Sequence, residues 1–284
     1  MPRVNLTYTS SNGKTFNLMA DDIRLRTGAF FKVKWKPDTT KQQFGVSISR
    51  WTKDPLQYEM GLIFSGSVAA RKARLTEFWS AAETDILTHT PGRITYQNAY
   101  LDGFFIEGDT EPTVNQRWTS HEVVFYAPTP FWVTEQKIRV LPASEPTGDL
   151  PVKTYDGGYS YDTGYYYPIT ENTVIVNTGH YTESDFQLKV YGPTTNVAIT
   201  MGGTLYQVNH AVASGEVLVV DSRKTMPINR RCYLISSGAE TNIFNSRIGT
   251  LFNLLPGGSW SISYSREYPI ELTIFKRRSV PLWT

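Results

Sequence analysis

Four histidines, one cysteine and twenty-six carboxylates are the groups from which this 284-residue chain could build chemistry. Their spacing argues against most of it. His89, His121, His180 and His210 lie far apart. None belongs to a His-x-x-x-His or Cys-x-x-Cys pattern, so a metal lacks its usual donor set. The plain reading is four surface or strand histidines. Cys232 stands in Arg-Arg-Cys-Tyr-Leu-Ile, an apolar-leaning strand pattern, and reads as a small core residue. Its neighbours Arg230 and Arg231 would favour a thiolate under the competing reading. No Gly-x-Ser-x-Gly turn marks a serine nucleophile, and no glycine-rich phosphate loop appears. Asp156 and Asp162 sit among tyrosines, and two such acids could flank a sugar in a glycosidase. Acids in Gly-Tyr stretches more often form turns. No catalytic residue, metal or other cofactor is expected.

Basic residues offer a second chemistry, attraction of phosphate or of an acidic surface. Lys plus Arg is 28 against 26 Asp plus Glu, a net charge of +2. That is too little for bulk phosphate binding, which needs clustered cations. Two local groups stand out, Arg71, Lys72 and Arg74 in one stretch and Lys36 and Lys41 in another. Both are candidate contacts within an assembly, or with material passing through it; a solvated helix face is the simpler account of the first.

The elements that must carry these residues are mostly strands. Aromatics make up 13% of the chain and charged residues 19%, a bias that suits half-buried pleated surfaces. Val4–Tyr8 and Thr15–Leu18 flank Asn12-Gly13, a strong hairpin signal. Alternation predicts strands over 29–35, with Phe31, Val33 and Trp35 on one face, and over 44–51, with Phe44, Val46 and Ile48 on one face. Lys36-Pro37-Asp38-Thr39-Thr40-Lys41 between them reads as an exposed excursion. Further strands are expected at 59–65, 93–96, 99–106 and 116–126. Over 68–84 the period changes: Leu75, Phe78, Trp79 and Ala82 form the stripe of one amphipathic helix, capped by Ser65 or Ser67, with Arg71, Lys72 and Arg74 mostly off the stripe.

Length suggests two domains, with a boundary after Ala127-Pro128-Thr129-Pro130-Phe131-Trp132. The expected division is 1–134 and 135–284. Residues 142–172 break the composition with Pro142, Pro146 and Pro151 and a tract rich in tyrosine and glycine over 155–168. Tyr159, Tyr161, Tyr165 and Tyr166 in that tract are candidate contacts for a partner or a glycan, since Tyr with Gly and Ser is the chemistry of adaptable binding loops. After residue 172 come short strands at 173–176, 186–191, 197–201, 204–207, 216–221, 233–235, 259–264 and 270–275, with Gly202-Gly203 as a two-residue turn. Regular short strands at this spacing suggest a β-sandwich. The first residues lack the apolar core of a signal peptide and no window has the ~18 apolar residues of a membrane span, so folding in a cytoplasm is expected.

Several of these features occur together in one known family. They are the proline-broken aromatic corner Phe125–Trp132, Asn177-Thr178-Gly179, Tyr191-Gly192-Pro193, the run Gly215–Arg223 and Leu254-Leu255-Pro256-Gly257-Gly258-Ser259. In that order the chain resembles the distal tail proteins of long-tailed bacteriophages, the siphovirus tail component family. The tyrosine tract departs from the pattern in length.

The resemblance implies a mainly β protein: an N-terminal tail-tube-like β-barrel or sandwich with one helix, and a C-terminal galectin-like β-sandwich. It implies a structural virion protein, a ring, usually a hexamer, that joins the tail tube protein to the baseplate or tail tip. The ring surrounds the channel through which DNA passes in transit. Other implied partners are a receptor-binding protein or host polysaccharide. The virion tail is then the final location, after assembly in the host cytoplasm, with no membrane insertion. Two other readings stand beside it. The sandwich and its Trp and Tyr content would suit a carbohydrate-binding or host-adhesion module, and a wall-degrading glycosidase is the enzymatic reading.

Overall fold

The computed structural model describes residues 5–28, 30–110, 118–142, 173–225 and 228–281. The chain is mainly β with one α-helix. It forms two compact units. Unit 1 holds residues 1–135 and is joined by 224–229 and 275–284; unit 2 holds 136–223 and 230–274. Its elements run β1 (Leu6–Thr9), β2 (Thr15–Asn17), β3 (Ile23–Gly28), β4 (Lys36–Lys41), β5 (Val46–Thr52), β6 (Leu56–Ser65), α1 (Val68–Leu87), β7 (Gly92–Tyr96), β8 (Ala99–Thr110), β9 (Trp118–Ala127) and β10 (Trp132–Val140). Then come β11 (Thr173–Asn177), β12 (Asp185–Tyr191), β13 (Val197–Met201), β14 (Thr204–Val208), β15 (Val217–Thr225), β16 (Ile228–Ser236), β17 (Ala239–Asn242), β18 (Arg247–Ile248), β19 (Ser259–Ser263) and β20 (Ile270–Arg278).

In unit 1 every pairing is antiparallel. β2 pairs β1, β1 pairs β7, and β7 pairs the first half of β8. The second half of β8 pairs β9, which pairs β6, which pairs β3. These sheets are open, and no barrel closes among the described residues. The Asn12-Gly13 hairpin forms as the sequence predicts, with Gly13 at φ +85°, where a side chain would be strained. Inward residues alternate along β6 (Leu56, Tyr58, Met60, Leu62, Phe64) and meet Tyr8, Phe16, Phe105 and Phe125 in one aromatic core. Helix α1 lies on that core through Phe78, whose ring centroid stands 5.0 Å from that of Phe105 and 5.4 Å from that of Phe16. Burying a side chain of this size contributes roughly 1.5–3 kcal/mol. Ser67 caps the helix by accepting the Ala70 N–H.

Unit 2 is built from two antiparallel sheets. One runs β17-β16-β15-β12-β20 and the other β11-β19-β13-β14-β18. Phe186, Leu188, Val190, Leu218 and Val220 from the first and Ile199, Met201, Tyr206 and Ile262 from the second share one core. Cys232 is buried there, and burial pushes its thiol up to about 11. It is a core residue, as read. Gly202 and Gly203 turn at φ +56° and +81°.

Three expectations need correction. Residues 30–35 form no strand: Phe30 is buried, Phe31 half-buried, and Val33 and Trp35 are exposed. The excursion over 36–41 is itself strand β4, paired to β5. Alternation at 44–51 marked a strand correctly but not a buried one, because both faces of this hairpin meet solvent. Arg71 lies off the apolar stripe in sequence yet is 5% exposed. The aliphatic stem of an arginine lies readily along apolar surface, which a hydropathy stripe does not register.

Candidate assembly surface

Two contacts fix helix α1 on unit 1. Near its end, Asp85 is fully buried and accepts the Tyr8 hydroxyl at 2.5 Å and the Ser11 N–H at 2.7 Å. Burial, then the hydrogen bond to Asp85, push the Tyr8 phenol far above its usual value. Near the helix centre, Trp79 Nε1–H donates to Nε2 of His121 at 2.7 Å. Burial holds His121 below the ordinary histidine range, so its neutral ring is the acceptor. Both contacts need glycine beneath them. A Cβ at Gly92 would stand 2.2 Å from an Asp85 oxygen, and one at Gly108 2.0 Å from the Trp79 ring.

The predicted basic trio therefore lies on a docked helix. Arg71 points into the interior. Arg74 pairs with Asp22 at 2.9 Å and Glu77 at 2.7 Å and lies 4.9 Å over the Phe16 ring. Its hydrogen bond is the main cause holding the Glu77 carboxyl below its usual range. Lys72 alone of the three is exposed.

Lys36 and Lys41 belong to the β4–β5 hairpin, a separate two-stranded arm. Its turn closes with Gly45 at φ +89° and Phe44 89% exposed at the tip. Cross-strand partners share a face. Pro37 faces Trp51, Thr39 faces Ile48, and Lys41 faces Val46, whereas Lys36 faces Thr52, Asp38 faces Arg50, and Thr40 faces Ser47. The register slips between Asp38 and Thr39, leaving Ser49 as the extra residue of a bulge. The slip changes the parity of β5 and puts Trp51 beside Ile48 and Val46. One face of the arm is thus apolar and the other polar, and Trp51, Ile48 and Val46 all stand in solvent. At the root, Lys53 Nζ donates to the Pro130 carbonyl at 3.1 Å and sits 4.3 Å from the Phe131 centroid and 5.1 Å from that of Trp35. Burial pushes its ammonium down to about 8.

A second surface is the outward face of the four strands β3-β6-β9-β8. Glu59, Glu122, Glu107 and Asp109 all project from it and are exposed. Asp109 stands directly opposite Glu122. Strands β6, β8 and β9 contain no Lys or Arg, while β3 carries Arg24 and Arg26 and no acid. Sequence reading missed this charge division because it appears only when strands distant in the chain are laid side by side. Like charges in direct opposition are unfavourable in an isolated sheet.

Tyr159, Tyr161, Tyr165 and Tyr166 lie outside the described residues. Among the described residues no group of three or more His, Cys, Asp or Glu could hold a metal ion. No helix among them is long and apolar enough to cross a membrane.

No family model matches the chain, and no curated protein matches its sequence. Solved structures do match. A chain of the phage P2 baseplate in its activated conformation with calcium aligns at TM-score 0.66 and 13% identity, covering 99% of this chain and 100% of that one. The same baseplate with strontium aligns at TM-score 0.63 and 13% identity over 98% and 99%. The Dit protein of phage SPP1, described as a paradigm of the hub adsorption apparatus of phages infecting Gram-positive bacteria, aligns at TM-score 0.59 and 11% identity over 96% and 99%. Along nearly its whole length the chain therefore has the fold of phage baseplate and distal tail hub proteins.

Proposed function

We propose that this protein is a structural, non-catalytic hub of a phage tail, assembling with copies of itself into a ring, hexameric in the family it resembles, between the tail tube and the baseplate or tail tip. The fold likeness supports the hub role. The observation that carries self-assembly is the arm. An amphipathic hairpin that leaves Trp51, Ile48 and Val46 in water is costly alone. It gains roughly 1.5–3 kcal/mol for each large side chain that a partner covers. Lys53 holds the root, so less ordering remains to be done on binding. In this reading the carboxylate-bearing sheet face looks into the channel, where Glu59, Glu107, Asp109 and Glu122 repel phosphates and leave DNA free to slide. Lys36 and Lys41 remain candidate contacts through the arm, and Lys72 through the helix. The wider partners in this proposal are the tail tube protein, a tail tip or baseplate protein, and a receptor-binding protein on unit 2, with the virion tail as location after assembly in the host cytoplasm.

A carbohydrate-binding module is the alternative reading, and the described surface of unit 2 supports it less. The outward face of β11-β19-β13-β14-β18 shows Ile175, Leu205 and Ile248 among Ser, Thr and amide side chains. It offers no aromatic ring to stack on a sugar among the described residues.

Negative-stain electron microscopy and light scattering on the full chain test the proposal. Rings with a central hole are expected, and Trp51→Ser with Ile48→Ser is expected to reduce them without lowering the melting temperature. A strict monomer at micromolar concentration, with or without a tail tube partner, would sink the self-assembly reading. Specific signal on a glycan array would favour the alternative.

A further inference from the structure

We infer that the ring closes by joining the basic edge of one copy's four-stranded sheet, β3, to the acidic edge of the next copy's sheet, the second half of β8. This rests on the ring reading above and names the surfaces that make it. The two strands are opposite ends of one sheet, in the order β3-β6-β9-β8. β6 occupies one side of β3. On the other side, Leu25 N–H goes to the Leu18 carbonyl and Met19 bridges Arg24. Residues 26–28 have no strand on that side among the described residues. Likewise β7 covers β8 only from Ala99 to Gly103. From Phe104 to Thr110, β8 has β9 on one side and no strand on the other among the described residues.

Free edges carry unsatisfied N–H and C=O groups and invite pairing unless something prevents it. Charges and bulges are common deterrents, and both edges have them: the register slips between Leu25 and Thr27 and between Phe105 and Glu107. Charge that served only to keep copies apart would have the same sign on both edges. Here the signs are opposite, with Arg24 and Arg26 on β3 and Glu107 and Asp109 on β8. Identical edges therefore repel and unlike edges attract. That combination selects head-to-tail contact, which closes into a ring when the rotation allows, over a two-fold dimer. The Arg24 pair with Asp21 does not compete strongly. It is 3.2 Å long, but the Asp21 side chain is fully exposed, and such pairs are worth little. Joined this way, neighbouring sheets become continuous, and the arginines neutralise acids that otherwise face one another unpaired across β8 and β9.

Charge exchange tests the inference on the full chain. One variant carries Arg24→Glu with Arg26→Glu, the other Glu107→Arg with Asp109→Arg. All four positions are exposed, so melting temperatures close to that of the wild type are expected. Each variant alone is expected to shift from ring to monomer mass in light scattering. An equal mixture of the two, in which every alternating contact again pairs unlike edges, is expected to restore rings in electron microscopy. A single chain with all four changes is expected to do the same. Rings formed by each variant alone, or a mixture that stays monomeric while the wild type assembles, would overturn the edge pairing and leave the hub proposal standing. A wild type that never assembles would overturn both.

Discussion

The Tyr8 hydroxyl and the Asp85 carboxylate are 77 residues apart in the chain and 2.5 Å apart in space. They tie the end of the only described helix to the first strand. The second oxygen of Asp85 accepts the Ser11 N–H, so one buried acid serves two donors from a single hairpin.

Tyr8→Phe removes one donor and leaves a buried carboxylate short of a partner. A loss of roughly 1–3 kcal/mol is expected, read from the urea midpoint at constant slope. Gly92→Ala is expected to cost at least as much, because its Cβ would occupy space held by Asp85 and the Tyr8 ring and overpacking costs ~1–3 kcal/mol.

Gly108→Ala drives a methyl into the Trp79 indole. The helix or the strand must shift, and a loss of stability comparable to Gly92→Ala is expected. Pairing it with Trp79→Leu frees the space. The double variant is expected to lose less than the sum of the two single variants in a double-mutant cycle; strict additivity would refute the contact.

His121 makes stability depend on pH. Its folded value is depressed, so the folded state binds fewer protons than the unfolded state, whose histidine titrates near ~6.5. Its contribution is complete above that value and is lost as the pH falls toward the lower folded one. Protonation also replaces the Nε2 lone pair with an N–H facing the Trp79 N–H. Denaturant melts between pH 7.5 and 5 are expected to show falling stability in the wild type. A shallower slope is expected for His121→Gln.

Lys53→Met keeps the length of the side chain at the root of the arm and removes its charge. Cation–π contacts are worth ~0.5–2 kcal/mol, and the Pro130 hydrogen bond is lost as well. Faster proteolysis within residues 36–52 and fewer rings are expected, with global unfolding almost unchanged because the arm lies outside the aromatic core. Lys53→Arg is expected to restore part of both.

Local pattern was enough to reveal the strands of unit 2, the Asn12-Gly13 hairpin and the helix with its Phe78 stripe, since each depends on neighbours within a few residues. Three strands of unit 2 went unread: β17, β18 and the strand leading into it, β10. They carry too little alternation to stand out. Alternation also marks residues 46–52 as a strand but is silent on whether anything covers it, and a single-residue slip at Ser49 decides which face holds Trp51. The candidate surfaces were still less legible. Lys36 and Lys41 were visible as charges, but the arm that carries them was read as a loop. The acids on β6, β8 and β9 and the arginines on β3 face the same way only after strands up to some eighty residues apart are paired. Period and turn chemistry are short-range properties that the linear chain contains. Register, edge exposure and the sign of charge along an edge belong to pairs of strands, and only the folded sheet brings those pairs into being.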